Sequence, residues 1–241
     1  MKNIPSFHSP FLLLFCALFF LSWHSPAYAD SYSAEILDIS SKQKLYHFES
    51  NSIVKGEFTE VEMKHTDPSG GLVIVENALL KNDELVKYQI SHKQLQMEGS
   101  IEVKDKTLYF QKTSSGGKIK ESKETKEDPL VLNVNLVAFL KKNWARLEKG
   151  ESLETRYAVW DRLETVGFSF KKMGETEISG EKRVKIQMKP TSFLISKLVD
   201  PLYFYFKPDG SQLKELDGRV APKIKQGDSW KDLDAHIVYS Y

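Results

Sequence analysis

The stretch Leu198–Gly210, LVDPLYFYFKPDG, sets five apolar or aromatic residues in a row between Pro201 and a Pro-Asp-Gly turn. The aromatic composition and the flanking turn residues read as a strand. Successive strand side chains point to opposite faces. Tyr203 and Tyr205 therefore share one face, and Leu202, Phe204 and Phe206 share the other. A strand that is greasy on both sides needs two covers. The reading that follows is a sheet packed by a helix on one face, with a concavity on the other.

The surrounding chain supports a sheet. In EKRVKIQMKP, Val184, Ile186 and Met188 alternate with Arg183, Lys185, Gln187 and Lys189, the pattern of a half-buried antiparallel strand. SIVKGEFTEVEMKH places Val61, Met63 and His65 on one alternating face. Turns punctuate these runs: TDPSGG at Thr66–Gly71, KNDE at Lys81–Glu84 and Lys104–Lys106. Pro presets φ, and Gly and Asn accept positive φ. Near Trp160 the alternation is broken by Asp161 and Arg162. If both lie on a strand, one faces inward and needs an ionic partner, Glu164 or Arg219, because an unpaired buried charge is costly.

Two segments break the β pattern. In NVNLVAFLKKNWARLEKG, Leu136, Phe139, Leu140, Trp144 and Leu147 recur at helical spacing, with Asn133 or Asn135 as cap and Gly150 as terminator. PTSFLISKLVDP reads as a short helix carrying Phe193, Leu194 and Leu198. Residues 112–128 hold Ser, Gly, Lys and Glu with almost nothing apolar, and read as a flexible polar loop. The count is about ten strands, one amphipathic helix and one short helix. The expected fold is mainly β (α+β): an antiparallel open or half barrel forming a single domain over residues 30–241.

The first residues carry an address. Lys2 is followed by FLLLFCALFFL at Phe11–Leu21 and by Ala27 and Ala29 in an A-x-A arrangement, a secretory signal peptide cut after Ala29. The apolar run is short of the roughly 20 residues that span a bilayer, which makes an uncleaved anchor the weaker alternative. The remaining 212 residues contain no cysteine, because the only one is Cys16. With Lys2 gone they carry 33 basic and 33 acidic residues. That balance argues against a nucleic-acid partner. A periplasmic location, with no transmembrane segment in the mature chain, is the expectation.

The search for chemistry finds no G-x-S-x-G, P-loop, G-x-G-x-x-G or H-E-x-x-H pattern. No catalytic set, cofactor or metal is assigned. His47, His65, His92 and His236 are scattered. The positive signal is aromatic. Candidate ligand-contacting residues are Trp144, Trp160, Phe168, Tyr203 and Tyr205, with Arg162 as a polar contact.

From WARLEKGE through KIQMKPTSFLISKLVDPLYFYFKPDGSQLKELDGR, the C-terminal half resembles uncharacterised β-rich periplasmic proteins of bacteria. Their folds are similar to the half-barrel lipoprotein carriers. The resemblance implies an envelope protein with an apolar cavity. The function expected is non-catalytic binding or shuttling of a lipid or other hydrophobic molecule. Two alternatives stand beside it: a partner in envelope protein assembly that docks through sheet edges, and a cell-envelope hydrolase whose site is assembled from distant residues.

Overall fold

The structure is a computed structural model that describes residues 28–197 and 199–241. The expected signal peptide lies outside the described residues up to residue 27, as does Leu198 of the expected short helix. Fifteen strands follow one another: β1 (Tyr28–Asp38), β2 (Lys44–Lys55), β3 (Phe58–Thr66), β4 (Leu72–Lys81), β5 (Glu84–His92), β6 (Met97–Lys104), β7 (Thr107–Thr113), β8 (Ile119–Thr125), β9 (Leu130–Val131), β10 (Leu153–Val159), β11 (Glu164–Ile178), β12 (Glu181–Pro190), β13 (Leu202–Phe206), β14 (Leu213–Gln226) and β15 (Ser229–Ser240). Helices α1 (Asn133–Lys142) and α2 (Trp144–Glu148) separate β9 from β10, and α3 (Phe193–Ser196) separates β12 from β13.

All strands belong to one sheet, in the order β8-β7-β6-β5-β4-β3-β2-β1-β15-β14-β13-β12-β11-β10-β9. Two meanders are thus joined where the first strand pairs with the last, Ile36 opposite Ile237. Among the described residues, only β9 and β10 run parallel. The sheet does not close by strand pairing. Its ends nonetheless approach, for the Ser122 hydroxyl donates to the Leu163 carbonyl at 2.6 Å.

Local chemistry explains the hairpins. Asn82 and Asp83 both take positive φ, 51° and 67°, between the paired Lys81 and Glu84. A two-residue turn of this kind matches the twist of its strands. Register then decides what faces inward. Phe48, His65, Ile74 and His92 lie abreast on β2 to β5, and the next inward row is Ser50, Met63, Glu76, Ile90 and Gly99. These rows line the inner face and are buried.

The inner face of the C-terminal meander is covered by the helices. Phe139 packs on Phe170 with ring centroids 6.0 Å apart, and Trp144 packs on Phe206 at 5.1 Å. Leu136, Leu140 and Leu147 complete the buried stripe. Asn135 begins the helix by accepting the Leu132 N–H on its Oδ1 at 2.8 Å. The helix pair fills one part of the sheet's hollow and leaves another part open.

Several sequence expectations are corrected. There are fifteen strands and not about ten, because runs read as one strand contain tight turns. SIVKGEFTEVEMKH folds back at Gly56–Glu57 into β2 and β3. The polar segment 112–128 contains β8, a strand of alternating charge paired to β7 from Thr107↔Thr125 to Thr113↔Ile119. The amphipathic helix breaks at Asn143, whose side-chain amide donates to the Phe139 carbonyl at 2.9 Å. Asp161 and Arg162 are on no strand. They sit in the β10–β11 loop, where Leu163 donates its N–H back to the Val159 carbonyl at 3.0 Å and takes φ 61°. Arg162 therefore needs no buried partner and pairs at the surface with Glu164, 2.5 Å away. Phe193 and Leu194 of α3 are 70% and 74% exposed and do not cover the sheet.

Candidate functional site

Between α1 and the inner face of the sheet lies a cavity of about 350 Å³. That is the low end of the range for small-molecule sites. Its wall is mostly apolar: Ile36, Phe48, Met63, Ile90, Leu136 and Phe204 come from both meanders and the helix. Arg219, Lys223 and Asp161 are charged members of the lining. Asp232 engages both cations: Lys223 Nζ is 2.7 Å from its Oδ1, and Arg219 bonds its other oxygen while donating to Asp234 at 2.7 Å.

A polar cluster interrupts the apolar wall. Glu76 is 0% exposed at the centre of its inward row. Its Oε2 accepts the Tyr88 hydroxyl at 2.8 Å and, more loosely, the Asn133 amide at 3.5 Å. Asn133 in turn accepts the hydroxyl of Tyr157. Burial raises the carboxyl pKa of Glu76 against the opposing pull of those hydrogen bonds. On the adjacent strands, His65 and His92 are buried diagonal neighbours of Glu76. Burial, aided by His92 nearby, holds the His65 imidazole down to about 3, so it is neutral under ordinary conditions. Three inward polar atoms, Glu76 Oε1, His65 Nδ1 and His92 Nδ1, have no hydrogen-bond partner among the described residues. Each such atom costs on the order of 1–3 kcal/mol in a folded protein.

The end of the cavity beside His92 is built from aromatic packing and a latch. The Trp160 indole lies so close to Gly99 that a Cβ there would sit 2.3 Å from its ring. Gly at this point on β6 is what lets Trp160 form the wall. Across the same end, the Gln94 amide donates to the Lys223 carbonyl at 2.9 Å, and Lys223 N–H returns a bond to Gln94 Oε1 at 2.8 Å. These bonds tie the N-terminal meander to β14 without strand pairing.

Of the residues picked from the sequence, Trp160 and Phe168 are brought together on the cavity wall. The other four lie elsewhere. Trp144 is packed against Phe206 and the Gly210 turn, where φ is 71° and a Cβ would meet the indole at 2.2 Å. Arg162 points to solvent with Glu164. Tyr203 and Tyr205 face outward from the sheet, beneath the Lys185 ammonium at 3.9 and 5.5 Å. The second cover on the LYFYF strand is thus the chain's own Lys185 and Gln187, the latter donating to the Tyr203 hydroxyl at 3.2 Å. Sequence reasoning passed over Glu76 and Tyr88 and gave Asn133 only a helix-capping role. A signal existed for the first: Glu76 is a lone acid at an alternating position inside LVIVENALL.

A second cleft, of about 520 Å³, lies between the Asn82–Asp83 turn and α1. Lys126 on its wall pairs with Asp128 at 2.6 Å and Glu84 at 3.2 Å. It holds no buried unpartnered group, and the inner cavity is the stronger site. Among the described residues no cluster of three His, Cys, Asp or Glu side chains is arranged to hold a metal ion, and no helix is long and apolar enough to cross a membrane. No family model, curated protein or solved structure matches the chain.

Proposed function

We propose that this protein is a non-catalytic carrier that binds a hydrophobic molecule in the cavity between α1 and the inner face of the sheet. The observation that carries the reading is the unfilled hollow itself. A sheet of fifteen strands wraps an apolar space that the helix and the side chains leave open. Natural interiors are packed about as densely as organic crystals, and voids much larger than a water are rare. A hollow of about 350 Å³ is an expensive feature unless something occupies it. Burying each CH₂ of a guest yields about 0.8 kcal/mol, so an alkyl chain binds usefully without a sequence motif.

The leader at the N-terminus and the resemblance to periplasmic half barrels support placing this activity in the bacterial envelope. Docking through sheet edges finds less support, because β8 presents alternating Lys and Glu at its edge, a composition that resists strand addition. The experiment is native mass spectrometry of protein purified from cells without detergent. An adduct of lipid size that solvent extraction removes is the expected result. Bare protein that also fails to bind an added apolar dye rules the carrier out.

A further inference from the structure

We infer that the cavity recognises an uncharged head group bearing a hydroxyl, held between Glu76 Oε1 and His92 Nδ1, with the ligand's alkyl body along the apolar wall. The inference rests on the carrier reading and specifies its ligand.

The geometry at Glu76 is one-sided. Tyr88 and Asn133 both direct their hydrogens at Oε2, which leaves the buried Oε1 of this cavity-lining residue with no bonding partner among the described residues. A fully buried carboxyl with no cation beside it stays protonated, since ionising it in an apolar hollow costs far more than a hydrogen bond returns. With Oε2 occupied as an acceptor, the acid proton sits on Oε1 and makes that atom a donor.

His92 supplies the complementary partner. Its Nε2 lies 3.3 Å from the Ala221 carbonyl oxygen. A carbonyl only accepts, so Nε2 carries the hydrogen and Nδ1 is a lone-pair acceptor. That acceptor is buried and unpartnered. Ile74 pairs with His92 and Glu76 pairs with Ile90. His92 and Glu76 are thus diagonal cross-strand neighbours, roughly 7–8 Å apart at Cα. One oxygen between the two side chains satisfies both atoms only if it accepts from one and donates to the other. A hydroxyl does this; an ether or ester oxygen meets only Glu76.

Charged heads are disfavoured. The imidazoles of His65 and His92 are buried and depressed in pKa, chiefly by that burial, so a carboxylate or phosphate meets no counter-charge in the cluster. Arg219 and Lys223 are already engaged by Asp232 and Asp234. An ammonium head would have to ionise Glu76 and bury two ions, at several kcal/mol each.

The test is displacement of the neutral dye N-phenylnaphthylamine from the wild-type protein by decanol, decyl methyl ether, decanoate and decylammonium, which share one alkyl chain. Decanol is expected to displace at a concentration at least tenfold below decanoate and decylammonium, with the ether between. Glu76→Leu is expected to bind the dye and lose decanol's advantage over the ether, whereas Glu76→Gln, which donates from its amide, retains it. Thermal melts establish that each variant is folded, and the four-ligand comparison on the wild type stands without either of them. Dye that does not bind overturns the carrier reading and this inference with it. Dye that binds while decanoate or decylammonium competes as well as decanol, or a folded Glu76→Leu that keeps the full preference, overturns this inference alone.

Discussion

At the scale of single residues, the inner face carries titratable groups that pull stability in opposite directions. Burial depresses the His65 imidazole to about 3, while an unfolded chain titrates near 6.5. Between those values the unfolded state holds a proton that the folded state refuses. Stability contributed by His65 is therefore complete above about pH 6.5 and lost as the pH falls, by at most about 5 kcal/mol at the acid end. His92 has the same sign. Glu76 is raised by burial, so its contribution is complete below the ordinary carboxyl value and lost as the pH rises. Urea unfolding across about pH 4 to pH 8 is expected to show His65→Phe flattening the acid limb and Glu76→Gln flattening the alkaline limb. A wild-type curve that neither substitution alters would mean both groups reach water. The outer face has its own sensitive position. Tyr205 is 8% exposed and lies close to Asp217 and Glu215. Tyr205→Asp is expected to destabilise by about 2 kcal/mol or more through buried like charge, read as a fall in the urea midpoint, with dye affinity unchanged in the folded fraction.

At the scale of elements, the helix pair and β8 show what was readable and what was not. The helix was legible because Leu136, Leu140, Trp144 and Leu147 repeat at its period, and those residues are buried in the structure. Leu140 is 0% exposed. Leu140→Ala is expected to cost about 2–5 kcal/mol, read from urea unfolding. The strand β8 was not legible. Lys120, Glu121, Lys123 and Glu124 offer no apolar face, and residue pattern is silent on a strand held chiefly by backbone bonds to β7. The loop at Trp160–Leu163 was missed for a related reason. No Gly or Pro marks it, and the positive φ falls on Leu163, a residue that rarely takes it. Reading those four residues as strand placed Arg162 on the ligand side. The structure turns it to solvent, while Trp160 just before it is anchored over Gly99.

At the scale of the whole molecule, the deciding contact is the pairing of β1 with β15, which joins residues some two hundred positions apart and leaves no local trace in the sequence. It turns two meanders into one curved sheet and so creates the hollow. Whether that hollow takes a guest or is merely loose core can be decided by filling it. Ile237 is 8% exposed and on the cavity wall, abreast of Ile36 and Leu216. In a packed core, Ile237→Trp would be overpacked, costing about 1–3 kcal/mol and often more. Into a space of about 350 Å³ an indole fits without moving the sheet. The expected outcome is a urea midpoint within about 1 kcal/mol of wild type together with loss of dye binding and of any adduct in native mass spectrometry. A severe drop in stability would show that the wall has no room, and a stable variant that still binds dye would place the guest elsewhere. Either result separates the shape of the sheet from its use, because the substitution leaves Glu76 and its hydrogen-bonding partners in the sequence and acts by volume.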